Sequence, residues 1–222
     1  KWHLNLVTYS LYSKMTHPQG MWIIGYGSLI FKPPPHVSYK VTGYLKGFIR
    51  RFWQSSIDHR GTPEYPGRVV TLLSIDDLTS PKFHDEFYNV SSPDDLRVYG
   101  VAYYIEPQHV EQVKQYLDIR EQNGYTAHKV PFYVGEEFIE SDIYIGTIDN
   151  EAFVGPESLE DTAHVIRTAV GPSGKNIDYL ANLVHSIKDF GIRDHYLEHL
   201  YTLASSNPDS STLPTLKPAP TD

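Results

Sequence analysis

Cysteine is absent from the 222-residue chain, and that removes several chemistries at once. No disulfide framework, thiolate zinc site or cysteine nucleophile can be built, which fits a reducing compartment. Positive charge is also scarce: 19 Lys and Arg against 27 Asp and Glu leave a formal net charge of −8. A nucleic-acid surface needs clustered basic residues, so no nucleic-acid partner is expected. No run of about 18 apolar residues occurs, so no helical membrane span is expected either. Residues 1–14 mix Asn, Thr, Ser and Tyr into their apolar residues and form no uninterrupted signal core. Met15 or Met21 could be a natural start, and residues 1–20 are read as an N-terminal extension, natural or added, outside the fold. Asn89-Val90-Ser91 has the spacing of a glycosylation acceptor, but no signal peptide supports it.

What remains suits one domain with tails. Met21–Ile30, M-W-I-I-G-Y-G-S-L-I, reads as a short buried strand running into a glycine turn. Two readings of that turn stand side by side. Gly25 and Gly27 either only reverse the chain, or leave successive amides open to one anion. Lys32-Pro33-Pro34-Pro35 follows as an extended segment. Val41–Trp53 reads as one or two strands, Asp58–Pro63 and Tyr65–Gly67 as turns, and Arg68–Leu73 and Val98–Ile105 as strands. Ser74–Arg97 reads as an acidic loop with short helical turns. Pro107 opens a helix whose Val110, Val113 and Leu117 form one buried face, with Gly124 as its left-handed C′ stop. Tyr125–Val134 and Asp142–Ile148 are further strands. Helices carry Leu159, Ala163, Ile166 and Val170, then Ile177, Leu180, Val184 and Ile187, then Leu197, Leu200 and Ala204. From Ser205 the Ser/Thr/Pro-rich chain is expected to be disordered. Strands early and helices late argue α+β.

Several familiar sites can be tested against this layout. A dinucleotide fingerprint at Gly25-Tyr26-Gly27 lacks its third small residue, and Pro33–Pro35 rules out the helix it needs straight after. His195-Tyr196-Leu197-Glu198-His199 matches H-x-x-E-H, but its third zinc ligand would have to come from the tail, so a solvent-facing helix surface is expected there. Ser28 lacks the G-x-S-x-G elbow of a serine hydrolase. Glu121 stands out differently. Four residues beyond Leu117, it lies on the inward stripe and at the negative end of the helix dipole. From spacing alone, either it pairs with an arginine such as Arg51 or Arg68, or it serves chemistry.

Longer blocks now narrow the choice. They are W-I-I-G-Y-G-S-L-I at Trp22–Ile30, R-R-F-W-Q at Arg50–Gln54, D-H-R-G-T-P at Asp58–Pro63 and P-G-R-V-V-T-L at Pro66–Leu72. Y-L-D-I-R-E-Q-N-G-Y at Tyr116–Tyr125, Y-I-G-T at Tyr144–Thr147 and G-P-S-G-K-N-I-D-Y-L at Gly171–Leu180 follow in order. Together they resemble the ChaC-type, glutathione-specific γ-glutamylcyclotransferases. The resemblance covers about Met21–Leu200. It implies an α+β fold, a small mixed β-barrel with surrounding helices, spanning a catalytic domain at 21–204 between the extension and a tail at 205–222. It implies a lyase that converts glutathione into 5-oxoproline and Cys-Gly in the cytoplasm, with an additional nuclear location left open. Glu121 is then the catalytic residue, and Ile23, Ile24, Gly25, Tyr26, Gly27, Ser28 and Leu29 hold the γ-glutamyl group. The only partner implied is the small-molecule substrate, with no metal and no cofactor; oligomeric state stays open. Arg51, Arg68, Tyr125 and Tyr144 are further candidate donors. Two departures are Phe31, where many members carry another aromatic, and a short polar link at Gly135–Ser141 that bears on the pocket rim. Alternatives are a cyclotransferase for other γ-glutamyl amino acids or amines, and a barrel that binds γ-glutamyl groups without turnover.

Overall fold

Strand β1 (Met21–Gly25) is buried at every residue, as an apolar run covered on both faces requires. It pairs antiparallel with β5 (Arg97–Ile105), from Met21 opposite Ile105 to Gly25 opposite Val101. The computed structural model describes residues 13–15, 19–83, 86 and 96–206. The glycosylation-like tripeptide at Asn89 and the tail from 207 onward lie outside those residues, as does most of the N-terminal extension. On its other edge β5 meets β2 (Val37–Lys46), β2 meets β6 (Tyr125–Val134), and β6 meets β7 (Glu137–Gly146). A parallel contact at Ile23 and Asp142 joins β7 to β1 and closes the barrel in the order β1-β5-β2-β6-β7. Closure leaves no free edge on these strands. The segment expected as one or two strands is two: β2 and β3 (Phe48–Ser56), which pairs with β4 (Gly67–Ser74) in a separate hairpin.

Period-two alternation in β1 divides the core. Trp22 and Ile24 join Leu45, Phe52, Leu72 and Phe132, and the apolar faces of α4 (Leu159–Thr168), α5 (Asn176–Asp189) and α6 (His195–Ser205). Met21 and Ile23 point the other way, onto Val113 and Leu117 of α3 (Val110–Arg120). A third cluster of Ile49, Trp53, Leu73, Leu78 and Phe83 backs the β3–β4 hairpin. Within Ser74–Arg97 the expected short turns appear as α2 (Ile75–Leu78), capped reciprocally by Ser74 and Asp77, and a 3₁₀ turn at Pro81–Phe83.

Five boundaries differ from expectation, each for a local reason. A single helical turn, α1 (Ser28–Phe31), does follow the glycine turn, and it ends at Lys32, just before the prolines. Val170 leaves the helix: Ala169 turns extended, and Val170 pairs with Lys175 as β8 (Val170–Gly171) meets β9 (Gly174–Lys175). The link expected at Gly135–Ser141 is mostly strand, because Gly135 (φ +64°) and Glu136 alone make the hairpin turn. The last helix runs through Ser205. Finally, part of the extension belongs to the fold: Trp22 Nε1 donates to the Lys14 carbonyl at 3.0 Å, and Lys14 pairs with Glu106 at 3.0 Å.

Leu117, fully buried, holds α3 on β1 one turn before Glu121. Leu117→Ala should lower unfolding stability by about 2–5 kcal/mol, the usual range for a buried leucine. Urea denaturation measures it; a loss under 1 kcal/mol would mean that α3 is not anchored this way.

Candidate active site

Helix α3 stops at Arg120 because Glu121 leaves helical geometry, its N–H still donating to the Leu117 carbonyl at 2.8 Å. Glu121 is thus the C-cap itself. Gly124 has the expected positive φ, +78°, but closes the following turn instead of standing at C′. The Glu121 side chain, 15% exposed, swings away from the Val113–Leu117 cluster and into a cavity. That cavity has a volume of about 280 Å³ and is walled by Ser28, Phe31, Arg60, Tyr116, Glu121, Asn123 and Tyr125, among others. A smaller recess of about 30 Å³ shares Ser28, Glu121, Tyr125 and Tyr179 with it and adds Ile24, Tyr26, Gly27, Leu29 and Tyr144. Most of the glycine-turn residues singled out from sequence therefore surround one recess with Glu121. Ile23 and Gly25 do not line it. Ile23 faces α3, and the Gly25 carbonyl lies under Gly100, where an added Cβ would come within 2.4 Å.

The recess is built by close approach. A Cβ on Gly27 would stand 2.5 Å from Val70 Cγ2 and 3.0 Å from the Tyr179 hydroxyl, so the turn can sit against β4 only as glycine. Tyr103 secures the far side of α1 by donating to the Leu29 carbonyl at 2.9 Å. Arg120 then ties α1 to α3: it donates to Ser28 Oγ at 2.9 Å and to the Lys32 carbonyl at 2.9 Å. Its Nε lies 3.5 Å from Glu121 Oε1. Behind the 121–124 turn, fully buried Gln54 donates to the Asn123 carbonyl at 2.8 Å and exchanges bonds with Asn150.

Electrostatically the site favours a neutral acid. Burial pushes the Glu121 carboxyl above its ordinary value, and Asp58 adds to the effect; Arg120 and His59 oppose it without cancelling it. Tyr26, Tyr125, Tyr144 and Tyr179 all feel the Glu121 charge, and burial, the leading cause for each, holds their phenols protonated. They are neutral donors, already engaged in part: Tyr125 to the Val70 carbonyl at 2.6 Å, Tyr26 to the Tyr144 carbonyl at 2.8 Å and Tyr144 to Asp118 at 2.6 Å.

The arginine partners weighed for Glu121 are spent elsewhere. Arg51 pairs with Glu86 at 2.5 Å, and Arg68 holds Glu157 through two bonds of 2.8 and 3.0 Å. Neither lines the cavity or the recess, whereas Tyr125 and Tyr144 do. Reading the sequence missed Arg120, although it stands beside Glu121, because its bond to Ser28 spans 92 residues. Asp58, His59 and Arg60, taken only as turn chemistry, also wall the cavity. The H-x-x-E-H residues lie apart: His195 and His199 are exposed on α6, and Glu198 pairs with Arg193 at 2.6 Å. Among the described residues no group of three or more His, Asp or Glu could hold a metal ion.

Residues 21–206 match the model of the family described as ChaC-like protein. The chain belongs to the ChaC-like family. Relatives include the glutathione-specific γ-glutamylcyclotransferase of Saccharomyces cerevisiae, 44% identical, with 82% of this chain and 94% of the relative covered. The Schizosaccharomyces pombe protein of the same description is 40% identical over 79% of this chain and 87% of its own length. A crystal structure of the yeast γ-glutamylcyclotransferase specific to glutathione aligns with a TM-score of 0.78 at 42% identity, covering 84% of this chain and 98% of that one. The α+β fold expected from the ChaC-type resemblance is the one observed.

Burial of Glu121 has a pH signature in this ChaC-like chain. Unfolded, its carboxyl titrates near the ordinary 4.5; folded, it binds its proton more tightly. The stability this adds is complete below the ordinary value and is lost as pH rises toward the raised folded one. Glu121→Gln removes that loss, so the variant should gain on wild type between about pH 4 and pH 7.5 in urea unfolding. A gap that is constant, or that shrinks with rising pH, would contradict the burial argument.

Proposed function

We propose that the chain is a glutathione-specific γ-glutamylcyclotransferase, releasing 5-oxoproline and Cys-Gly, with Glu121 as its single acid and base. The observation that carries this reading is the placement of one buried carboxylate, its pKa raised by that burial, against the glycine turn, at the junction of recess and cavity. The relatives named above support the substrate, since both bear that specificity in their names.

The reaction is intramolecular. The substrate's own α-amine attacks its γ-carbonyl, the amide to cysteine breaks, and a five-membered ring closes with no water consumed. A chain without cysteine needs no nucleophile for this. Orientation is then the main task, and holding reacting groups in place can supply roughly 7–11 kcal/mol. The recess suits the γ-glutamyl end. The Ser28 and Leu29 amides at the start of α1 precede the first bond of the turn, the Ile30 N–H to the Gly27 carbonyl at 3.0 Å, and can face a carboxylate, while Gly27 and Leu29 form the wall.

A protonated α-amine must lose a proton before attack, and the departing amide nitrogen must gain one. Glu121 performs both transfers in sequence. A carboxylate of raised pKa suits that double duty, because it neither holds nor releases its proton too strongly near neutrality. Aspartate at 121 would fall about one methylene short. Glutamine would keep the shape but could carry no proton.

Glu121→Gln should therefore fold normally and cut 5-oxoproline release from glutathione by about 10²–10⁴-fold or to background. Near wild-type turnover by this variant would sink the mechanism. A parallel assay with γ-glutamyl-alanine separates the substrate readings. Release from glutathione alone supports the proposal, release from γ-glutamyl-alanine alone favours a broader cyclotransferase, and release from neither favours a binding module.

A further inference from the structure

The wall of the larger cavity contains a cation with no counter-charge within ion-pair distance among the described residues. Arg60 is 6% exposed and lines the cavity but not the recess. A guanidinium has five N–H donors; that of Arg60 makes one hydrogen bond among the described residues, from Nη1 to the Lys175 carbonyl at 2.9 Å, and lies 5.8 Å from the centre of the Tyr179 ring. Among the described residues no carboxylate comes within ion-pair distance of it. Asp178 is near enough to favour its charge but not to bond it. Arg50, more deeply buried, meets Asp194 at 3.1 Å. A buried charge is retained at a cost unless something pairs with it.

Arg60 is also held in place. Its own N–H donates to Ser56 Oγ at 3.0 Å, and Ser173 N–H donates to the neighbouring His59 carbonyl at 2.8 Å. Gly174, at φ +106°, crosses so closely that an added Cβ would lie 3.4 Å from Arg60 Nη1. The loop between β3 and β4 and the β8–β9 turn thus form a fixed mount. With the γ-glutamyl group in the recess, the rest of the substrate extends into the cavity. A sphere of 280 Å³ is about 8 Å across, and two extended residues reach about 7 Å.

We propose that Arg60 binds the free C-terminal carboxylate of the substrate, so that this site selects γ-glutamyl peptides ending in a carboxylate two residues beyond the scissile amide. The inference rests on the cyclotransferase reading. A planar guanidinium can grip a carboxylate through two parallel bonds, which the exposed Lys32 on the cavity wall cannot do.

The test pairs glutathione with its glycine-amidated analogue, whose terminal charge is removed at nearly constant shape. In wild type, amidation should raise KM about 10–100-fold, the scale of a charge-assisted hydrogen-bond pair, with kcat within a few-fold. Arg60→Met should raise KM for glutathione by a similar factor and leave KM for the amide unchanged. Arg60→Lys should recover part of the loss. Equal KM for the two compounds in wild type overturns the proposal and needs no variant to fold. So does Arg60→Met raising both KM values alike. Calorimetry on Glu121→Gln gives the same comparison without turnover. A lack of 5-oxoproline from glutathione would therefore count against the cyclotransferase reading, while equal affinities would count against the role of Arg60.

Discussion

Arg120 joins the two halves of the site. Its guanidinium reaches from the last turn of α3 to Ser28 Oγ and the Lys32 carbonyl, and its Nε faces Glu121. Packing of Leu117 with Ile23 and Leu29 already sets α3 against β1 and the turn, and Arg120 adds the polar tie at the site itself. The ion pair also limits how far burial can raise the Glu121 carboxyl. Too little burial would leave an ordinary carboxylate, and too much would leave an acid that never gives up its proton. Arg120 is thus at once a mechanical tie and an electrostatic brake.

The cost of this arrangement falls on the packing around it. A helix C-terminus and a buried wall both disfavour a negative charge, so Glu121 is held there by its neighbours. Leu117 fixes the preceding turn against β1, and Gln54 fixes the following turn through the Asn123 carbonyl. Strand β3 carries Gln54 and, two residues on, Ser56, which receives the Arg60 N–H. One strand therefore supports both the acid and the cation across the cavity. The β3–β4 hairpin stands outside the closed barrel, yet most of its residues are buried.

Much of this was legible in the residues themselves. The buried run Trp22–Ile24, the Val113–Leu117 face and the periodic helices after Ser158 carry local signals, and each formed within a few positions of where those signals put it. Helix α6 begins one residue after Asp194, whose side chain accepts the Leu197 N–H and also holds Arg50. Only the first of those roles can be seen locally. What could not be read was long-range pairing. Nothing near Arg51 or Arg68 announces Glu86 or Glu157, so both stayed open as partners of Glu121. Val170 kept helical spacing, yet pairing with Lys175 drew it away. The Asp58–Arg60 stretch looked like a plain turn because its significance lies in what folds over it, the Gly171–Gly174 turn.

A division of labour follows from the geometry. The recess, rimmed by phenols and close-packed glycine, is small and has no Lys or Arg on its wall. The cavity outside it is larger and carries Arg60, Lys32 and Arg120 against Asp58 and Glu121. Those side chains sum to a positive charge even with Glu121 ionised, which favours an anionic ligand. On the proposed mechanism Glu121 must start ionised to take the ammonium proton and then return it to the leaving nitrogen, so burial must not hold it permanently neutral. Burial raises the Glu121 pKa while Arg120 lowers it, so on the proposed mechanism it is the balance of the two that keeps one carboxyl able both to take and to return a proton.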